Sequence, residues 1–136
     1  DIINGLNHYI GMAHIKEEMF PEFKILPYCV GFYIVAGLVT AISKSKKILL
    51  SFFILVVLGG VLALYDYWKW GYEYGHNLSP DAAIKVPGMS YQPPMLGYKE
   101  LLNFGAYSIP DIGGWFFILL GLICVGTTVY EFKYNL

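Results

Sequence analysis

The stretch that decides the fold is ILLSFFILVVLGGVLALY, which covers Ile48 to Tyr65 and contains no charged residue. A helix of this length, rising about 1.5 Å per residue, crosses most of a hydrocarbon core of roughly 30 Å. Two other uncharged runs have similar lengths, Ile25–Ile42 and Ile112–Tyr130. A soluble helix this long would carry a polar face, and none of the three runs does. The sequence therefore predicts an all-α integral membrane protein with transmembrane helices over residues 25–42, 48–65 and 112–130.

The composition of the whole chain agrees with this class of protein. Of its 136 residues, 57% are hydrophobic and 14% are charged, whereas soluble domains are about a quarter charged. The net charge is −1, and all nine basic residues are lysine. A chain without a basic excess is not expected to bind nucleic acid. Because arginine is the usual bidentate ligand for phosphate, its absence also disfavours a phosphate-binding enzyme.

The lysines predict the orientation of the chain in the membrane. Three of them lie within residues 43–47, the turn between the first two runs. Positively charged loops stay in the cytoplasm, so we expect this turn and the tail 131–136 to be cytoplasmic. The N-terminal segment 1–24 and the loop 66–111 are then extracytoplasmic. Because the first run would enter from outside, we also expect a fourth, N-terminal anchor ahead of Asp1.

The loop 66–111 begins with a dense aromatic segment and continues with five of the seven prolines. Its length and proline content predict an ordered, functional loop. Within it, residues 99–107 are expected to form a short interfacial helix. Aromatic side chains at the end of a membrane helix are typical of the membrane–water interface, and a platform for a ligand is the alternative. The predicted interface residues are Tyr67, Trp68, Trp70, Tyr72 and Tyr74.

All four methionines and all three histidines fall in the predicted extracytoplasmic segments. Thioether and imidazole together suit soft Cu(I), so we take six of these residues as candidate metal ligands: His8, Met12, His14, His76, Met89 and Met95. His8 and Met12 are four residues apart and would share one face of an interfacial helix over residues 1–24. The alternative is an amphipathic helix on the bilayer that binds no metal, with methionine as an ordinary apolar residue.

Other chemistries have little support in the sequence. The apolar runs contain no histidine, which excludes a bis-histidine haem within the membrane spans. The serines and the two cysteines have no base nearby in sequence, so nucleophilic catalysis is not expected. The chain is therefore not predicted to be an enzyme, and no catalytic residue is assigned.

Two stretches resemble a family of small multi-pass membrane proteins: residues 4–12, with the motif NGLNHYIGM, and the run from Tyr65 to Trp115, with the motif PGMSYQPP at residues 87–94. Members of this family are encoded with nitrous-oxide reductase, in nos gene clusters of the Bacteroidota type. The resemblance implies a bacterial inner-membrane protein whose N-terminal segment and long loop face the periplasm. It also implies an accessory role for a periplasmic copper enzyme, through maturation, copper handling or docking of a copper chaperone.

Two functions remain open at this point. One is the accessory role just described, with a copper chaperone or copper enzyme as partner. The other is a non-catalytic small structural subunit of a larger membrane or respiratory complex. Both place the chain in a lipid bilayer.

Overall fold

The computed structural model describes residues 2–101 and 103–134. Its four helices are α1 (Ile2–Ile10), α2 (Glu22–Ser43), α3 (Lys46–His76) and α4 (Ile112–Tyr134). A 3₁₀ turn covers Glu17–Met19, and two antiparallel strands, β1 (Gly97–Leu101) and β2 (Phe104–Ser108), form a small sheet. The chain is thus mostly helical, as predicted, but the prediction of an all-α fold is wrong for this hairpin.

Three helices, α2, α3 and α4, are long and apolar enough to cross a membrane. They contain the three predicted runs and extend beyond each of them. The longest, α3, has 31 residues and measures about 46 Å at the usual helical rise. It continues through the aromatic segment to His76, so the first part of the predicted loop 66–111 is helical. Few of the apolar side chains in these helices are buried. In the most apolar 18-residue stretch of each helix, the share of buried residues is 0% in α2, 11% in α3 and 6% in α4.

The described residues belong to two compact units. We call residues within 1–19 and 63–109 the loop unit, and those within 20–62 and 110–136 the helix unit. The core of the helix unit contains Phe52, Val56 and Cys124. There the Tyr33 hydroxyl donates a hydrogen bond of 2.9 Å to the carbonyl oxygen of Leu55. Its ring lies where a Cβ at Gly59 would stand, so this glycine permits close packing of α2 on α3.

The core of the loop unit joins residues that are distant in sequence. Its buried members are Ile10, Met12, Tyr74, Tyr91 and Leu101. They come from the N-terminal segment, the end of α3, the proline-rich loop and β1, so the proline-rich loop packs against the rest of the unit.

The hairpin replaces the helix that was expected at residues 99–107. Its register pairs Lys99 with Ala106 and Leu101 with Phe104. Leu101 and Ala106 therefore lie on one face, and both pack in the core of the loop unit. Tyr98 and Tyr107, which are cross-strand partners, lie on the other, exposed face. Side chains alternate between the two faces of each strand, so the hairpin buries one face and exposes the other. An interpretation of the same apolar residues as a helix does not predict this arrangement.

Candidate metal-binding site

A cavity of 380 Å³ in the loop unit brings together three of the six predicted metal ligands. His8, Met12 and His14 line one part of it, and Asn77, Ser79 and Asp81 from the segment after α3 line the rest. The sequence prediction missed these last three residues. Their polar side chains follow the aromatic end of α3, but no spacing in the sequence relates them to the N-terminal histidines.

The N-terminal histidines meet because α1 ends early. The prediction of a helix over residues 1–24 is wrong, since α1 ends at Ile10 and Gly11 adopts a left-handed conformation with φ of +80°. The amide of Met12 then donates a 2.9 Å hydrogen bond to the carbonyl oxygen of Asn7. This pattern is a Schellman motif, in which a left-handed glycine ends the helix and the next residue closes the last turn. His8 and Met12 therefore do not lie on one helix face.

A side-chain clamp directs the chain back along α1 after this turn. The Asn4 side chain accepts a 2.8 Å hydrogen bond from the amide of Ile15 and donates one of 3.2 Å to the Ile15 carbonyl oxygen. The Asn7 amide group donates to the Asn4 side-chain oxygen at 3.3 Å. Because His14 directly precedes Ile15, the clamp holds it beside α1. The ring centroids of His8 and His14 are 6.5 Å apart.

Backbone hydrogen bonds hold the opposite wall of the cavity against this segment. The amide of Ser79 donates to the carbonyl oxygen of Gly11 at 2.7 Å, and the amide of Ile84 donates to that of Tyr9 at 2.9 Å. A Cβ at Gly11 would lie 2.8 Å from the Cβ of Ala82. A glycine is therefore required at position 11 for two reasons: its backbone conformation and the close approach of the loop.

The donor atoms around the cavity suit a soft metal ion. Two imidazole rings that share one metal through nitrogen bonds of about 2.0 Å place their centroids roughly 5–6.5 Å apart. The separation of His8 and His14 falls at the upper end of that range. Both histidines are exposed, whereas Met12 is only 7% exposed. Among residues 2–101 and 103–134, no three His, Cys, Asp or Glu side chains lie close enough to hold a metal ion.

The other three predicted ligands lie outside this cavity. The His76 ring stacks on Tyr72 with centroids 3.9 Å apart, and its Nδ1 lies 2.8 Å from the Tyr72 carbonyl oxygen. Met89 packs against the core of the loop unit as an apolar side chain. Met95 is 39% exposed. Of the six candidate ligands, the structure thus brings His8, Met12 and His14 to one cavity and leaves the other three apart from it.

The aromatic residues of α3 form two stacked columns. One column is exposed and consists of Tyr65, Trp68, Tyr72 and His76, with successive ring centroids 6.2, 5.6 and 3.9 Å apart. The other consists of Tyr67, Trp70 and Tyr74, with centroids 6.3 and 4.8 Å apart. Its last two members pack in the loop-unit core. The predicted interface residues thus divide into three that are exposed, Tyr67, Trp68 and Tyr72, and two that contribute to packing.

No family model matches this chain, and no curated protein and no solved structure shows significant similarity to it. The resemblance of the two motifs to the family encoded with nitrous-oxide reductase therefore stays a prediction. In the structure, residues 4–12 form most of α1 and its left-handed end, and residues 87–94 include Met89 and Tyr91 of the loop-unit core. Both motifs thus contribute to the unit that holds the cavity.

Proposed function

We propose that this chain is an accessory membrane protein that binds Cu(I) transiently at His8, Met12 and His14, in support of a periplasmic copper enzyme. Nitrous-oxide reductase is the enzyme that the motif resemblance implies. The observation that carries the proposal is the pair of imidazole rings, 6.5 Å apart, on the wall of a cavity that Met12 also lines.

The donor set favours exchange of copper over permanent storage. Two imidazoles and one thioether are soft ligands that suit Cu(I). The histidines are open to solvent and the methionine is buried in the core. A copper ion would therefore bind the sulfur atom of the buried methionine on its protein side. Its solvent side would remain accessible to a chaperone or an enzyme. Asp81, the carboxylate at the cavity, is a harder ligand and would add affinity for other metals.

The proposal also assigns a membrane orientation. Helices α2, α3 and α4 would span the bacterial inner membrane, with the lysine-rich turn at residues 43–47 in the cytoplasm. The N-terminal segment and the residues between α3 and α4 would then face the periplasm, where copper enzymes of this kind receive their metal. Labelling of these lysines by an impermeant amine reagent on intact cells would contradict this orientation.

The test is an anaerobic Cu(I) titration of the detergent-purified protein against a colorimetric chelator. We expect one Cu(I) per chain, and loss of this copper in the double variant His8→Ala/His14→Ala. Met12→Leu keeps the volume of the buried side chain and removes the sulfur, so we expect its affinity to fall about tenfold or more.

Two matched variants control this experiment. His76→Ala removes an exposed imidazole, and Met89→Leu removes a thioether from the same core, but neither residue lines the cavity. Both variants should keep the copper stoichiometry and affinity of the unmodified protein. Equal losses in the site variants and the control variants would overturn the assignment of this site, as would a protein that binds no Cu(I).

A second candidate function is that of a non-catalytic small subunit of a larger membrane complex. The observation that favours it is the exposed aromatic column on α3, where Tyr65, Trp68 and Tyr72 are 59%, 43% and 45% exposed. Large aromatic side chains are enriched where proteins associate. Affinity purification from native membranes would recover a stoichiometric partner with the unmodified protein. Trp68→Ala/Tyr72→Ala would lose that partner and keep its copper, whereas a partner retained in full would contradict this function.

A further inference from the structure

The helix unit contains an elongated apolar groove of 770 Å³ between α2, α3 and α4. The described residues that line it include no charged side chain. Its three hydroxyl groups already have partners in the backbone. Thr40 and Thr127 donate to Ala36 and Ile123 at 2.7 and 2.8 Å, and Tyr33 donates to an α3 carbonyl oxygen at 2.9 Å. These hydroxyls are therefore not available as hydrogen-bond donors to an occupant, and the walls of the groove are almost entirely hydrocarbon.

A polar cavity of 460 Å³ lies next to one end of this groove. The two cavities are adjacent because they share four lining residues: Thr40, Ala41, Leu49 and Thr127. The polar part is lined by Lys44, Ser45, Lys46 and Glu131. Among the described residues that line it, two ammonium groups and one carboxylate give a formal charge of +1. The amino end of α3, which begins at Lys46, adds a positive helix dipole there.

We propose that these two cavities together bind one anionic phospholipid, with an acyl chain in the groove and the phosphate headgroup at Lys44 and Lys46. From Gly113 to Thr127 the groove follows α4 for about 21 Å at the usual rise. A single leaflet of hydrocarbon is about 15 Å thick, so the groove accommodates a chain over that whole depth. Basic pockets beside membrane helices bind lipid headgroups in this way. This inference does not depend on the copper site.

Charge variants test the headgroup position. The purified, delipidated full-length chain is exposed to equal amounts of phosphatidylglycerol and phosphatidylcholine, and bound lipid is counted by native mass spectrometry. We expect phosphatidylglycerol to be preferred, and Lys44→Gln/Lys46→Gln to weaken its binding about 30-fold, or roughly fivefold per lysine. The matched control, Lys69→Gln/Lys85→Gln, removes the same charge from residues outside the cavity and should change nothing. Equal binding of the two lipids would contradict the proposed headgroup position. An equal loss of phosphatidylglycerol binding in the Lys44/Lys46 variant and in the control variant would also contradict it.

A second pair of variants tests the acyl-chain position. A Cβ at Gly113, which lines the groove, and one at Gly126, which does not, both meet nothing within 4 Å. Gly113→Leu should fill the groove and release the lipid, whereas Gly126→Leu should retain it. If phosphatidylglycerol binds Gly113→Leu normally and inorganic phosphate displaces it, the site recognises phosphate alone and the lipid proposal fails. Conversion of a dimer to a monomer by Gly113→Leu with unchanged lipid binding would show that a second copy covers the groove, which also overturns it.

Discussion

Gly11 is the residue on which the geometry of the candidate metal-binding cavity depends most directly, and Gly11→Ala tests that dependence. The glycine has φ of +80°, a conformation that costs an L residue about 1–2 kcal/mol. The new methyl group would also lie 2.8 Å from the Cβ of Ala82 and 3.1 Å from the backbone nitrogen and oxygen of Ser79. The loop would have to move, which weakens the hydrogen bond from Ser79 to Gly11 by about 1 kcal/mol. Together these effects predict a loss of about 2–3 kcal/mol in the stability of this contact.

Amide hydrogen exchange followed by mass spectrometry measures this loss where it occurs. The amides of Ser79 and Ile84 bond to Gly11 and Tyr9, so their exchange should accelerate about 30- to 150-fold in Gly11→Ala. Gly5→Ala is the matched control, because it lies within α1 and its Cβ would meet nothing within 4 Å. Alanine in a helix interior is stabilising by roughly 0.5–1 kcal/mol relative to glycine, so exchange there should slow. Unchanged exchange at Ser79 and Ile84 in Gly11→Ala, or the same change in both variants, would refute the reasoning.

Two further predictions concern buried tyrosines. Tyr91 is 1% exposed and its hydroxyl has no hydrogen-bond partner among the described residues, so Tyr91→Phe should leave the thermal unfolding free energy unchanged or raise it by up to about 1 kcal/mol. A loss larger than that of exposed Tyr98→Phe would show that the hydroxyl has a partner. In the helix unit, Tyr33→Phe removes one hydrogen bond between helices and should cost about 0.6 kcal/mol, whereas Gly59→Leu inserts a side chain into the position of the Tyr33 ring and should cost several times more. A smaller cost for Gly59→Leu in detergent unfolding would contradict the close packing at this glycine.

The copper and lipid proposals can be separated in a single preparation. The proposed copper site lies in the loop unit, and the groove lies in the helix unit. A His8→Ala/His14→Ala variant should lose copper and keep phosphatidylglycerol, and a Lys44→Gln/Lys46→Gln variant should do the reverse. Both losses in one variant would indicate general unfolding.

Several features of the fold could be predicted from the sequence because they follow from solvation alone. Long uncharged runs in a chain with few charges leave a helix as the only way to satisfy the backbone in lipid. The three long apolar helices predicted on this basis are present in the structure. The ends of these helices were less predictable. The aromatic residues after Tyr65 are as compatible with a helix as with a loop. In the structure α3 continues to His76, and aromatic rings three and four residues apart stack on each other along it.

The N-terminal segment shows where a pattern in the sequence was outweighed by a local signal. The spacing of His8 and Met12 favours one long helix that includes both residues. Gly11 was a signal for the end of that helix, because glycine favours the left-handed position that follows a last turn. The hairpin at residues 97–108 shows the same limit for apolar spacing. Burial of Leu101 and Ala106 on one face decided its structure, and that burial depends on residues elsewhere in the chain.

The sequence by itself determined the apolar character and the number of the long helices, and it places every methionine and histidine outside the three uncharged runs. Those properties depend on composition and on short-range spacing, which a linear chain displays directly. Only the tertiary structure decided that His8, Met12 and His14 line one cavity while His76, Met89 and Met95 do not. The physical reason is that this selection depends on a left-handed turn, an asparagine clamp and hydrogen bonds to a distant loop, and each of these forms only when the segments pack together.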